Sequence, residues 1–298
     1  MKKITVFTPT YNRAYVLPKL YLSLTEQTSK DFVWLIVDDG STDNTKQIVD
    51  EWIREGKIEI KYIHQQNGGK MKAHNLGVQN TTTPYFVCVD SDDNMTDNAI
   101  ESILNECEKL QDESVCGIVA YKAYTDGKVI STPFPEGEEI VNFSKMYENG
   151  FEGDTAFVFK TEVIKQYPFP IIASEKFITE AYVYEQISRD YQVLLLNKIL
   201  VICEYNADGL TKNLQKVIFN NPCGYVAYFL QKGNFASSRM QTVKAYIRAN
   251  AFRKFTKGVQ MPVNAKKKFL YFITHPFGKV LYLKKKREYQ KSLKKETK

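Results

Sequence analysis

The residues with the plainest chemistry are Asp90 and Asp92, two carboxylates two positions apart in Asp90-Ser91-Asp92-Asp93. Hard divalent cations take oxygen ligands. Mg2+ or Mn2+ in phosphate chemistry is held by one or two carboxylates together with the substrate's phosphates. The tetrapeptide follows an apolar run at 85–89, so the pair is expected where a buried strand breaks into a loop. Asp, Ser and Asn also favour turns and helix N-caps, and Asp93 suits a cap. Two other apolar runs end in the same manner: 4–8 leads into Pro9-Thr10-Tyr11-Asn12-Arg13, and 32–37 leads into Asp38-Asp39-Gly40-Ser41. Ligands of open α/β sheets bind outside the carboxyl ends of strands. The three polar segments are therefore expected on one rim, where they offer an aromatic ring, several carboxylates and a cation site. Asn67-Gly68-Gly69-Lys70 adds a glycine turn and a cation. Neither GxGxxG nor GxxxxGK[ST] occurs, which disfavours a Rossmann dehydrogenase and a P-loop ATPase.

The elements that must position these residues alternate. Strands are expected at 4–8, 32–37, 58–63 and 85–89, and helices at 15–28, 45–56, 71–79 and 98–110. This is the pattern of an α/β, mostly parallel sheet with right-handed crossovers. The second half is less regular. Strands are expected at 115–121, 128–130, 157–159 and within 193–204, a helix at 180–191, and helices from 213 onward. The chain divides into a catalytic-size domain over 1–215, with halves at about 1–120 and 121–215, and a helical basic extension over 216–298.

The 298 residues are 43% hydrophobic and 25% charged, which excludes wholesale disorder. The net charge of +7 is unevenly spread. Residues 254–298 hold 14 Lys/Arg against 2 Asp/Glu, a net of +12, and residues 1–253 hold 27 against 32, a net of −5. Such a tail suits a polyanionic partner. In 265–283, Phe269, Tyr271, Phe272, Phe277 and Tyr282 alternate with Lys266–Lys268 and Lys279, and Lys284-Lys285-Lys286-Arg287 follows. Apolar anchors among cations suit an anionic membrane surface rather than nucleic acid. The apolar run 269–283 is 15 residues long and includes His275, Pro276 and Lys279, short of the roughly 20 a spanning helix needs. The opening MKKITVFTPTYNR reads as a first strand and not as a signal peptide. Five scattered cysteines without a CxxC point to reduced thiols of a cytosolic compartment, and three histidines away from any cysteine pair argue against structural zinc.

Four segments occur in order: ITVFTPTYNR (4–13), IVDDGSTDNT (36–45), NGGKMKAHNLG (67–77) and FVCVDSDD (86–93). In these the chain resembles the inverting nucleotide-sugar glycosyltransferases of family 2, which have the GT-A fold. The likeness is specific over about 1–120 and looser to about 225. FPIIASEKFITEAYVY (169–184) and YNADGLTKN (205–213) resemble a bacterial subgroup associated with surface polysaccharides. The resemblance implies that Pro9, Thr10, Tyr11, Asn12 and Arg13 lie beside the nucleotide base. It also implies that Asp39 accepts the uracil N3–H, that Asp38 fixes its loop, and that Asn67, Gly68 and Lys70 flank the base and diphosphate, with Asn75 bracing them. Asp90, Ser91 and Asp92 match the DxD motif, with Asp92 and Asp90 holding Mn2+ or Mg2+. The general base is expected at the opening of a helix, in Thr179-Glu180-Ala181-Tyr182; Ala181 stands where the family has Asp. Glu180 is the first choice, Glu175 the alternative, and Asp154 a candidate contact to acceptor or sugar. The expected activity is sugar transfer from a nucleotide diphosphate sugar, with UDP the expected nucleotide, to a hydroxyl of a growing surface glycan or lipid-linked acceptor. The expected place is the inner face of the cell membrane. A non-catalytic sugar-nucleotide-binding relative is the alternative. A sugar-1-phosphate nucleotidyltransferase fits less well, because 9–13 lacks that group's glycine-rich start.

Overall fold

Apolar runs bounded by polar turns become strands buried on both faces. β1 (Ile4–Thr10), β2 (Phe32–Asp38), β3 (Ile60–His64) and β4 (Tyr85–Cys88) are joined by helices α1 (Leu17–Thr25), α2 (Thr45–Glu55) and α3 (Lys70–Asn80). β5 (Asp93–Met95) and helix α4 (Ala99–Cys107) follow, then β6 (Val115–Tyr124), β7 (Ile140–Val141), β8 (Thr155–Lys160) and β9 (Gln192–Cys203). The order across the sheet is β3-β2-β1-β4-β8-β6-β9-β5, with β7 against β9. The β3-β2-β1-β4 half is parallel throughout; β8 runs antiparallel to β4 and β6, and β9 runs parallel to β6. In this computed structural model the described residues are 1–172, 175–204, 214–256 and 262–296. They form two compact units, Met1–Phe169 with Val183–Asn206, and Pro170–Tyr182 with Ala207–Lys298. The segment 205–213 lies outside the described residues.

In the first unit both faces of the sheet are covered. On one, α1 and α2 bury Leu17, Leu20, Leu24 and Val49 against Ile4, Val6 and Ile36. There Tyr21, Trp34 and Trp52 stack, with centroids 4.4 Å apart for Tyr21–Trp52 and 5.8 Å for Trp34–Trp52. On the other, the rings of Phe7, Phe86 and Phe169 surround His74 of α3. Gly77 is required there, because a Cβ at that position would lie 2.3 Å from the Phe7 ring.

The second unit is helical, as 213 onward predicts. Helices Pro222–Phe235, Arg239–Phe252, Lys268–Ile273 and His275–Glu296 share a core of Val226, Phe229, Tyr246, Phe252 and Tyr271. Ser238 and Gln241 close a capping box on the second of these. Among the described residues no helix is long and apolar enough to cross a membrane.

Two expectations fail at the sheet's edges. The strand predicted at 128–130 is reduced to one bridge, Ala123 to Val129. Asp93 caps no helix and instead opens β5, paired with Cys203 of β9. Strands of two or three residues such as β7 and β5 are set by their partners, so local sequence does not announce them.

Candidate active site

Because β1, β2, β4 and β6 run the same way, their carboxyl ends share one edge, and Asp154 just before antiparallel β8 joins them. Pro9 lies beyond the last β1–β4 pair, Phe7 with Cys88, so its missing N–H breaks no bond to β4. Thr10 is buried opposite Asp38, and among the described residues its hydroxyl has no hydrogen-bond partner. Tyr11 projects, 48% exposed. Asn12 adopts φ +52°, a left-handed conformation that asparagine tolerates. Its N–H donates to Ser41 Oγ (2.8 Å), and its Oδ1 accepts from the Thr42 N–H (2.7 Å), tying the β1 loop to the β2 loop. Arg13 donates to the Tyr15 hydroxyl at 2.7 Å.

Asp38 fixes its own loop, as expected: the Ser41 N–H (2.8 Å) and the Tyr62 hydroxyl both donate to it. Asp39 is buried, and all of its acceptor sites are used. Oδ1 accepts from Gln65 Nε2 (2.6 Å) and the Gly68 N–H (2.7 Å), and Oδ2 from Asn67 Nδ2 (3.2 Å) and the Gly69 N–H (2.7 Å). A carboxylate offers about four lone-pair sites, so this set is complete. Asn67 and Gly68 therefore hold Asp39 here. Gly69, at φ +94°, directs the chain into α3.

The first residue of α3, Lys70, makes an ion pair with Asp90 Oδ1 at 2.6 Å. Burial opposes ionisation of Asp90, but Lys70 and Lys122 outweigh it and hold the carboxyl below its usual range. His74, one turn on, is buried among rings; that burial, reinforced by Lys70, pushes its pKa down to about 3. Asn75, expected to brace the 67–70 segment, is tied instead to Phe169: its Nδ2 donates to the carbonyl at 2.8 Å and its Oδ1 accepts from the N–H at 2.9 Å.

Asp90, Ser91, Asp92 and Asp93 follow β4, and Ser91 is buried. Lys122 of β6 lies 3.8 Å from Asp93 and 3.0 Å from Asp154. Burial works against the Lys122 charge, yet Asp154 and Asp93 push its pKa well above the usual value. Burial is also the main influence on Asp93; it is opposed by Lys122 and reinforced by Asp90 and Asp92, and the carboxyl rises to about 7. Asp154 additionally accepts from the Thr155 N–H at 2.9 Å. Among the described residues the Asp92 carboxylate has no hydrogen-bond or ion-pair partner. This donor set fits a hard divalent cation, with oxygen ligands on Asp90 and Asp92 and crowded negative charge already felt by Asp93.

The family model described as glycosyl transferase family 2 matches residues 5–168, more than half of the chain. The chain belongs to glycosyl transferase family 2. Glycosyltransferase GlyA of Streptococcus pneumoniae serotype 4 is 29% identical over 249 residues, 81% of this chain and 32% of that protein. The chain spans only 15%, 32% and 38% of the lengths of three curated relatives that it matches. Among solved structures, S. aureus TarS 1–349 in complex with UDP aligns with TM-score 0.58 at 17% identity, covering 97% of this chain and 92% of that one. The mannosyltransferase PcManGT of Pyrobaculum calidifontis, with GDP-Man and Mn2+, aligns with TM-score 0.56 at 15% identity, covering 94% and 87%. The fold is GT-A, and it is shared by proteins solved with different nucleotides.

Both candidate bases of this family member lie in the second unit. Glu175 accepts from the backbone N–H groups of Cys223 (2.7 Å) and Gly224 (2.7 Å), at the start of helix Pro222–Phe235. In return, Asn221 Oδ1 accepts from the N–H groups of Lys176 (2.8 Å) and Phe177 (3.1 Å). Both Glu175 oxygens are thereby committed to a helix N-terminus. Glu180 immediately precedes helix Ala181–Asp190 and is half-buried. Sequence reasoning missed Gln65 and Lys122. No local motif marks either one; Lys122 meets its partners across 29 and 32 residues, in register with strands that the sequence only outlines.

Proposed function

We propose that this chain is an inverting glycosyltransferase that depends on Mn2+ or Mg2+. It moves a hexose or N-acetylhexosamine from a nucleotide diphosphate sugar, UDP-linked, to a hydroxyl of a growing surface glycan or lipid-linked acceptor. The observation that carries this reading is the carboxylate loop after β4, in which Lys70 engages Asp90 while Asp92, among the described residues, has no hydrogen-bond or ion-pair partner. The catalytic domain in this reading is 1–215, and the basic extension 216–298 brings the enzyme to the inner face of an anionic membrane.

Asp92 and Asp90 would hold the cation, which when bound offsets the negative charge of the departing nucleoside diphosphate. The exposed Tyr11 ring offers a face for the base, and base–aromatic stacking contributes about 1–3 kcal/mol. Asp39 can accept the uracil N3–H only if one of its four donors yields, and Gln65 is the one carried on a side chain remote from the glycine turn. Lys70 stands at the N-terminus of α3, where the unpaired N–H groups of a helix favour a phosphate. Asp154 contacts a hydroxyl of sugar or acceptor. An inverting transfer is one in-line displacement, so a base must take the acceptor hydroxyl's proton as the new bond forms. Glu180 fills that role; Glu175 serves its helix.

Hydrolysis of a panel of nucleotide sugars, with Mn2+, Mg2+ or chelator, tests the reading. Turnover of a UDP sugar only in the presence of a cation is expected. Equal UDP affinity under all three conditions, with activity intact in Asp92→Ala, overturns the metal role; preference for GDP or TDP sugars overturns the uracil assignment. Ala181, where the family has Asp, favours a second reading: a sugar-nucleotide-binding scaffold or regulator without catalysis. UDP binding with no turnover of any donor would select it.

A further inference from the structure

The two C-terminal helices of the second unit have sharply different faces. On the inner side Tyr271, Thr274 and Gly278 are buried, and Leu281 and Tyr282 are half-buried. Asn250, itself buried, donates to the Tyr271 carbonyl (2.9 Å) and to the Thr274 hydroxyl (3.0 Å). Gly278 sits so close to Asn250 that a Cβ there would approach its Cβ to 2.6 Å. These contacts fix the rotation of both helices. The opposite side is therefore held outward: Phe269 is 73% exposed, Phe272 61%, Phe277 62% and Val280 68%, with Ile273 and Leu283 also exposed. Three- and four-residue steps keep these side chains on one stripe. Past Leu283 the same stripe turns cationic, and an open groove of about 450 Å³ is lined by Val280, Leu283, Lys284, Arg287, Glu288 and Lys291.

We propose that this stripe is the surface by which the chain docks on an anionic bilayer, its apolar end entering the boundary between headgroups and acyl chains and its Lys284–Lys291 end lying among the headgroups. The proposal rests on the membrane association proposed above and assigns it to one face. Three observations favour lipid over a protein partner. The aromatic residues stand on a rigid, pre-rotated pair of helices. Cations rim and continue the stripe: Lys266, Lys268 and Lys279 at the apolar end, Lys284, Lys286 and Arg287 beyond it, all exposed. And only 2 acidic residues occur in 254–298 to oppose them. An in-plane helix with this division binds through an apolar contribution that salt leaves intact and a Coulombic one that salt screens.

The test is cosedimentation of the full chain with phosphatidylcholine vesicles, with and without phosphatidylglycerol, at low and high salt. Size-exclusion chromatography and donor turnover in solution are followed alongside. Wild type should bind the phosphatidylglycerol vesicles and keep part of that binding in high salt. Phe272→Ser/Phe277→Ser/Val280→Ser alters only exposed side chains. It should lower the partition coefficient about tenfold or more and abolish the salt-resistant part. Lys284→Glu/Lys286→Glu/Arg287→Glu should lose the salt-sensitive part. Both variants should turn over soluble donor as wild type does. If wild type binds vesicles and both variants bind equally well, the membrane reading stands and this face is wrong. If wild type ignores all vesicles, the membrane reading itself falls. An oligomer dissolved by the apolar variant would then make the stripe a self-association surface.

Discussion

Asp39, after β2, accepts four side-chain hydrogen bonds from its own chain; the Asp92 carboxylate, after β4 on the same edge of the sheet, accepts none from the described residues. The two residues share a type and a topological place, yet one stabilises the fold and the other remains available to a ligand. The difference lies in the neighbouring donors. Gly68 and Gly69 let backbone N–H groups approach Asp39, whereas the loop after β4 is answered by lysines that engage Asp90, Asp93 and Asp154 and pass Asp92 by. Glu175 belongs with Asp39, since a helix N-terminus takes both of its oxygens.

The sharpest way to break this contrast is through the two glutamates. Glu180→Gln should cut transfer by about 10²–10⁴, the usual worth of a positioned base, with UDP affinity within a few-fold. Glu175→Gln should instead lower the melting temperature and leave most of kcat. Collapse of turnover in Glu175→Gln, with full turnover in Glu180→Gln, would move the base to Glu175. Next in size, Asp92→Ala should cost about 10²–10³ in turnover, as loss of an electrostatic stabiliser does, with no change in urea midpoint because no contact is lost. Asp39→Ala should do the reverse at the level of the fold. It strands four donors, a loss of about 2–5 kcal/mol measurable by urea denaturation. An Asp39→Ala protein as stable as wild type would refute the building role.

His74, buried in α3 among Phe7, Phe86 and Phe169, yields a pH prediction. It is neutral in the fold with a pKa of about 3, while the unfolded chain takes up its proton near pH 6.5. Its contribution to stability is therefore complete above about pH 6.5 and shrinks as pH falls toward 3, by about 2 kcal/mol at pH 5. His74→Phe, placed among Phe7, Phe86 and Phe169, should flatten that slope in urea titrations compared at about pH 7 and about pH 5. The smallest expected effect is that of Gln65→Ala. Freeing one acceptor on Asp39 should tighten UDP binding a few-fold by calorimetry, and weaker binding would show that Gln65 supports the site instead of occupying it.

Much of this site is written in short-range pattern. The runs 4–8, 32–37 and 85–89 are apolar enough to be buried strands, and a polar segment follows each, so their meeting on one edge follows from parallel order alone. Asp38's hold on its own loop was legible for the same reason. The saturation of Asp39 was not, because Gln65, Asn67 and the glycine N–H groups reach it from the far end of β3. Nor was the engagement of Lys70 with Asp90, or of Lys122 with Asp93 and Asp154, where the sequence offers isolated charges and only strand register unites them. The helical character from 213 onward was plain, while the inward turn of Tyr271 and Tyr282 was not: five aromatics look alike until Gly278 and Asn250 set the rotation.

Trp34 and Trp52 are the only tryptophans of the chain, and both lie in the stack with Tyr21 on one side of the sheet. Their ultraviolet emission is consequently a private signal of the first compact unit. Far-ultraviolet circular dichroism, by contrast, sums the helices of both units, including those of the second, which has no tryptophan. Melting traces recorded by both optical methods on one sample would superimpose if the units unfold together and separate if they do not.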